Sequence, residues 1–224
     1  MVNPKLRKRF IDSIEYLRKI DFFKDYSHLS SEEILEGIFS GEIDYKYWWE
    51  EWEKLEEKPA PKRGVVTKRS IEAQESLWMK ASNAEIDYEI IPFDTKRVVI
   101  EDQESGFFSE EMGIIILSRL ARISRGIFQP TNITSRWMVE PEYKWSVQEV
   151  SFDFKGKRHI IQIVLQYDYF MDIGLEELNE IIKDTEYRYY QIASEYIIVV
   201  VLTKGEAEKL RRERGWSFKY TGFI

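Results

Sequence analysis

Two carboxylates beside a lysine can hold Mg²⁺ and activate a water. An acid-x-Lys triplet on a strand, with a further acid close by, is therefore the pattern several metal-dependent nucleases use. Asp153-Phe154-Lys155 has that form, and Glu140, Glu142 and Asp168 are near it in the chain. The triplet falls on the first strand of an expected hairpin, just before its turn. A working site would normally put it on the returning strand, yet Gln162-Ile163-Val164 there carries no acid. A solvated hairpin face fits better; a nuclease-like protein, active or degenerate, built on Asp153 and Lys155 is the alternative. Asp168 and Asp172 flank Tyr169-Phe170-Met171. That spacing suits one helical turn, but turn and cap roles at a strand end account for both acids more simply.

Other chemistries find less support. The chain has 224 residues and no cysteine, which removes disulfides, thiolate metal sites and cysteine nucleophiles. Its only histidines are His28 and His159. That is too few for a three-His zinc site, and no G-x-S-x-G elbow accompanies them. No phosphate-cradling glycine motif occurs. No catalytic residue, metal ligand set or cofactor is therefore assigned.

Charge and aromatic residues are more telling. The net charge is −7, which disfavours non-specific nucleic-acid binding. Ser31 to Glu57 holds ten acids and two bases, and Glu85 to Met112 nine acids and two bases. The first of these stretches also carries Tyr45, Trp48, Trp49 and Trp52 at helical spacing, one aromatic stripe. Such a stripe either docks a small helical unit or meets a partner, because Trp and Tyr dominate interface hot spots. The candidate partner-binding residues are Trp48, Trp49, Glu50, Glu51 and Glu53, with Glu101, Asp102 and Glu104 in the second acidic stretch. Acids around aromatics would steer a basic protein partner. The basic run Lys204 to Arg214 is diluted by three glutamates and reads as a solvated helix face.

The elements that must position these residues follow from periodicity. Leu6, Phe10, Ile14 and Leu17 define a first helix. Ser30 and Glu33 form a capping box for a second, ended by Gly41. A third runs from Asp44 to Lys58, and Pro59 to Gly64 is a linker. Alternation from Glu85 to Pro92 suggests a half-buried strand, with Asp87 and Glu89 outward, and Val98 to Ile100 another. Ser109 is expected to cap a deeply buried helix reaching Ser124. Gly126 to Trp145 reads as irregular. Val150, Phe152 and Phe154 then alternate into a turn at Gly156, and His159 to Tyr167 returns as the second strand of a hairpin. A helix over Glu176 to Lys183 and a strand over Tyr187 to Ile192 follow. Tyr196 to Leu202 is apolar on both faces, as in a covered central strand. Thr203 and Glu206 cap a last helix that Gly215 closes.

One resemblance rests on four segments: Gly126-Ile127-Phe128-Gln129-Pro130 with Trp137; Val150 through Lys157; Tyr167 through Asp172; and Val201-Leu202-Thr203 through Phe218. Over roughly residues 115 to 218 the chain resembles small bacterial proteins associated with polymorphic-toxin immunity loci. These motifs are turns, a hairpin and helix stops, so the resemblance carries over no active-site residue. It implies a protein that occludes a toxin.

The expected fold is α+β: a helical N-terminal unit over residues 1–60, then a larger domain over 61–224 with a mainly antiparallel sheet and flanking helices. The expected function is non-enzymatic binding of a protein partner, a basic toxin domain. No cofactor is expected, and a cytoplasmic location with no membrane span.

Overall fold

The computed structural model describes residues 2–43, 75–101, 109, 111–140, 145–166, 169–193 and 197–220. The protein is α+β, with seven α-helices and two four-stranded sheets among the described residues. The chain divides into two compact units. One holds Met1–Val98 with Glu208–Trp216; the other holds Val99–Ala207 with Ser217–Ile224. The helix expected from Asp44 to Lys58 and the linker at Pro59 to Gly64 lie outside the described residues.

In the first unit, α1 (Pro4–Arg18) starts on an Asn3 cap, with proline at its first turn where no N–H is needed. Its buried stripe is Leu6, Phe10, Ile14 and Leu17, as the periodicity predicts, joined by Ser13. α2 (Ser31–Ser40) has the expected capping box. Ser30 Oγ accepts from Glu33 N at 3.2 Å, and Glu33 accepts from Ser30 N at 2.7 Å. α3 (Glu75–Trp78) is one turn, held from α1 by Arg9, whose guanidinium donates to the carbonyl oxygens of Trp78 and Met79 at 2.9 and 3.2 Å.

The stretch expected as a strand over Glu85 to Pro92 is instead α4 (Asn83–Ile90), followed by a 3₁₀ turn over Ile91–Phe93. A second capping box, Ser82 with Glu85, starts this helix. Its buried residues Ala84, Ile86, Asp87 and Ile90 follow helical spacing. The apparent alternation arose because a charged residue, Asp87, occupies a buried position.

The second unit has two sheets. The first is ordered β1 (Val98–Glu101), β7 (Ile197–Thr203), β6 (Tyr187–Ala193), β8 (Phe218–Tyr220). β7 lies between β1 and β6, and Ile197 through Leu202 are all buried, as two apolar faces require. The second sheet is ordered β2 (Thr131–Val139), β3 (Trp145–Phe154), β4 (Lys157–Gln166), β5 (Tyr169–Asp172), antiparallel throughout. The hairpin falls where expected: Phe154 pairs with Lys157 across a two-residue turn. Lys155 (φ 49°) and Gly156 (φ 72°) are both left-handed, the geometry that matches the twist of paired strands. β2 corrects the irregular reading of Gly126 to Trp145. It is an edge strand whose alternation is only half-buried, with bulges near both ends, so its periodic signal is weak.

α5 (Met112–Ile123) sits in the core of this unit. Ile116, Leu117, Leu120 and Ile123 share one cluster with Phe152, Ile161, Ile163, Val199 and Val201. The approach to β3 is close: a Cβ on Gly113 would lie 2.4 Å from Val150 Cγ2. Ser109 is not the cap. The N-cap is Glu111, without a side-chain bond, and buried Gln148 of β3 does the work instead. Gln148 Oε1 accepts from Gly113 N at 2.7 Å, and its Nε2 donates to Ser109 O at 3.0 Å. A partner 35 residues away satisfies the helix end, which local sequence does not reveal. α6 (Leu175–Ile181) and α7 (Lys204–Arg214) complete the elements, α7 starting on the expected Thr203–Glu206 box.

Candidate interaction surfaces and buried ionic centres

The residues singled out by sequence fall largely beyond description. Trp48, Trp49, Glu50, Glu51, Glu53, Asp102 and Glu104 lie outside the described residues, and of Glu101 only the backbone at the end of β1 is described. The head of the first acidic stretch is described. Glu32, Glu33, Glu36 and Glu42 are exposed on and just after α2, with Arg7 of α1 bonded to both Glu32 and Glu36.

The acid-x-Lys triplet divides between different partners. Asp153 accepts from Asn132 Nδ2 at 2.7 Å and from Arg158 at 3.2 Å, which together hold its carboxyl below the usual range. Lys155 reaches Asp184 at 2.6 Å. Among the described residues no group of three His, Asp or Glu side chains is placed to hold a metal. Asp172 serves as a turn residue, accepting from Gly174 N at 2.9 Å. His159 stacks on Phe152, with ring centroids 5.7 Å apart.

Of the nine acids between Glu85 and Met112, Asp87 and Asp94 are buried and give the surface no charge. Asp87, on α4, is 0% exposed. Its Oδ2 accepts from Arg214 Nε at 2.9 Å and from Trp216 Nε1 at 2.8 Å; its Oδ1 accepts from Arg214 Nη2 at 2.5 Å and from Ser13 Oγ. Four donors on two oxygens satisfy the carboxylate fully, the condition for burying a charge. Arg214 is therefore not part of a solvated helix face. Its guanidinium also lies 5.0 Å over the ring of Tyr16. Burial, and then the bond that Tyr16 donates to Glu213, push the Tyr16 phenol up to about 12. With both carboxylate oxygens committed to structural donors, this centre fastens Glu208–Trp216 to α1 and α4.

The second buried acid grips a turn. Asp21 (φ 69°) and Phe23 (φ 57°) are left-handed without being glycine. Asp94 Oδ2 accepts the Phe23 N–H at 2.5 Å, and Arg97 donates to Asp21 O at 2.8 Å while covering the Phe22 ring at 4.7 Å. Lys96 pairs with Asp25 at 2.7 Å. Burial raises the Asp94 carboxyl to about 6, against the opposing pull of the Phe23 N–H and the Arg97 charge.

The second unit exposes an apolar patch. On the outer face of β2–β3–β4, Met138 is 51%, Trp145 46% and Ile160 53% exposed. The strand pairings place Val139, Val147 and Val164 in one cross-strand row beside Trp145, and the polar row Arg136, Glu149 and Gln162 separates it from Ile160. Two ion pairs lie on this face, Arg136 with Glu149 at 2.9 Å and Arg158 with Asp153, and the exposed Asp172 of β5 stands in register with Val164.

No protein-family model, no curated protein and no solved structure matches the chain. Among the described residues no helix is long and apolar enough to cross a membrane. Sequence reading missed the Asp87 centre and the outer sheet face. An acid at a buried position of a capped helix was the available signal for the first; the second needed β2 to be recognised.

Proposed function

We propose that this chain is a non-enzymatic, cytoplasmic protein-binding protein that neutralises a cognate bacterial toxin by occluding it. The observation that carries the reading is the exposure of Glu32, Glu33, Glu36 and Glu42, which puts the head of the acid-rich stretch Ser31 to Glu57 in solvent. Arg7 offsets part of that charge through its bonds to Glu32 and Glu36; the net negative charge that remains attracts a basic partner and speeds the encounter. The aromatic residues of the same stretch, Trp48 and Trp49, supply anchor chemistry. The resemblance to immunity-locus proteins supports the toxin as the partner.

The test uses the product of the neighbouring gene and stopped-flow or biosensor kinetics at several salt concentrations. The on-rate should fall as salt rises, with a smaller change in the off-rate. Charge reversal at Glu50, Glu51 and Glu53, or at Glu101, Asp102 and Glu104, should slow association. Truncating Trp48 or Trp49 should raise the off-rate. An on-rate indifferent to salt and to both reversals would overturn the acidic-interface reading.

A further inference from the structure

β6 pairs with β7 along its whole length, but on its other side the described strand β8 reaches only Gln191 and Ile192. In an antiparallel sheet alternate residues turn their N–H and C=O groups to the same edge, so Tyr187, Tyr189, Gln191 and Ala193 all face the β8 side. Gln191 pairs with Tyr220, and Ala193 N donates to Ser217 O at 2.9 Å. Tyr187 and Tyr189 are served by side chains instead. Asn179 of α6 accepts the Tyr189 N–H on Oδ1 at 2.7 Å and donates from Nδ2 to Tyr189 O at 2.9 Å. Those are the two bonds that a residue of a neighbouring strand would make. Thr185 Oγ1 accepts the Tyr187 N–H at 3.3 Å, and Tyr187 O accepts from Arg188 Nη1 at 2.6 Å. Arg188 also donates to Thr185 O at 2.8 Å and to Lys183 O at 2.9 Å, which ties its guanidinium into the turn between α6 and β6.

We infer that Asn179 is an edge guard: its amide stands in for a strand residue and keeps the open half of β6 from pairing with another copy of this chain. An unpaired row of N–H and C=O groups is a template for strand addition, and a folded protein has to blunt it. The edge strand β2 does so by itself. Bulges interrupt it between Thr131 and Thr134 and between Trp137 and Val139, and Arg136 lies between them. β6 has none of these features on the side that faces α6. Its register against β7 is unbroken, it contains no proline or glycine, and its single charge, Arg188, is drawn into the turn. Tyr187–Ala193 is rich in aromatic and β-forming residues and low in charge, the composition of segments that pair with their own copies. A flat, regular strand of this kind needs protection from outside, and α6 supplies it through one amide. The inference is independent of the proposed function, because every residue involved lies apart from the acidic stretches.

Amide hydrogen exchange and sedimentation velocity on the full chain test this. Asn179→Leu keeps the bulk of the side chain and removes both bonds. Its Tyr189 amide should exchange on the order of tenfold faster than in the parent, as follows from the loss of a hydrogen bond. Over about 1 to 200 µM the variant should also self-associate more than the parent, as weak strand pairing does. Asn179→Asp keeps an acceptor for the Tyr189 N–H and places a charge at the edge, so it should sediment as the parent does. Gly113→Ala crowds α5 against Val150 in the same unit and leaves the edge sealed, so it controls for lost stability. It too should sediment as the parent does. Should Asn179→Leu fail to fold, Thr185→Val removes the acceptor of the Tyr187 N–H and carries the same expectations, with faster exchange at Tyr187. A Tyr189 amide that exchanges at the parent's rate in Asn179→Leu would overturn the inference. So would faster exchange without added self-association. Association of Asn179→Asp or Gly113→Ala to the same extent would overturn it as well, because self-association would then follow lost stability and not an opened edge.

Discussion

Asp87 and Arg214 are 127 residues apart and form a bidentate pair whose carboxylate is sealed from solvent, at 2.9 and 2.5 Å. Ser13 and Trp216 complete the coordination. Removing one partner from such a pair strands the other charge in a dry site. Asp87→Ala and Arg214→Ala should each cost about 3–5 kcal/mol. Arg214→Lys should recover only part of the loss, because a point charge cannot donate along two parallel directions. The double replacement Asp87→Leu with Arg214→Met should be far milder than the sum of the singles. Urea denaturation of the four variants checks this; additive losses would show that the pair is not coupled.

Asp94 makes stability depend on pH in a direction opposite to that of an ordinary carboxylate. Its pKa in the folded chain is about 6 against an ordinary 3.8, so the folded state binds the proton more tightly. The stabilisation from protonation is fully present below about 3.8 and is lost as pH rises through about 6, an effect on the order of 3 kcal/mol at most. The charged groups around it are Arg97, Lys96 and Asp25, with the Tyr26 phenol beside them. Asp94→Asn keeps an acceptor for the Phe23 N–H and removes the titration. The difference in unfolding free energy between parent and variant should shift against the parent as pH rises from 4.5 to 7. A difference that stays constant would refute the assignment.

Gly113→Ala should destabilise the second unit by about 1–3 kcal/mol, the usual cost of overpacking. The added carbon would meet Val150 Cγ2 at 2.4 Å and Gln148 Oε1 at 2.7 Å, so either α5 shifts or the Gln148 bond to its first turn is lost. Gly113→Ala with Val150→Ala should recover part of the loss, measured by thermal unfolding. If the single variant matches the parent, α5 does not approach β3 this closely.

Asp153 and Val199 should behave oppositely. Asp153→Ala should leave the denaturation midpoint essentially unchanged, because its carboxylate lies on the solvent side of the hairpin with other polar groups. Val199→Asp should abolish cooperative unfolding by placing an unpaired charge in a strand buried on both faces. A folded Val199→Asp protein would contradict the central position of β7.

Sequence made these elements legible where local chemistry and burial agree. The capping boxes at Ser30 and Thr203, the stripe of α1, the Lys155–Gly156 turn and the doubly apolar β7 all declare themselves within a dozen residues. Failures came where a distant residue decides. Asp87 looks like a solvent-facing acid until Arg214 and Trp216 arrive from the far end, and that appearance turned a helix into an alternating strand. Gln148 similarly takes over the capping role expected of Ser109. The outer sheet face was illegible because its third strand, β2, is an edge with a half-exposed, bulged pattern.

The first compact unit is discontinuous in the chain, and this sets an order on its assembly during synthesis. Met1–Val98 leaves the ribosome well before Glu208–Trp216 exists. At about 5–20 residues per second, Asp87 waits on the order of ten seconds for its guanidinium partner. During that interval α1 and α4 can form, but the carboxylate between them has no countercharge and favours water over burial. The first unit therefore closes only once Glu208–Trp216 has emerged. A chain that ends before Arg214 lacks the guanidinium that satisfies Asp87, and its first unit should be cleaved by added protease more readily than that of the full chain.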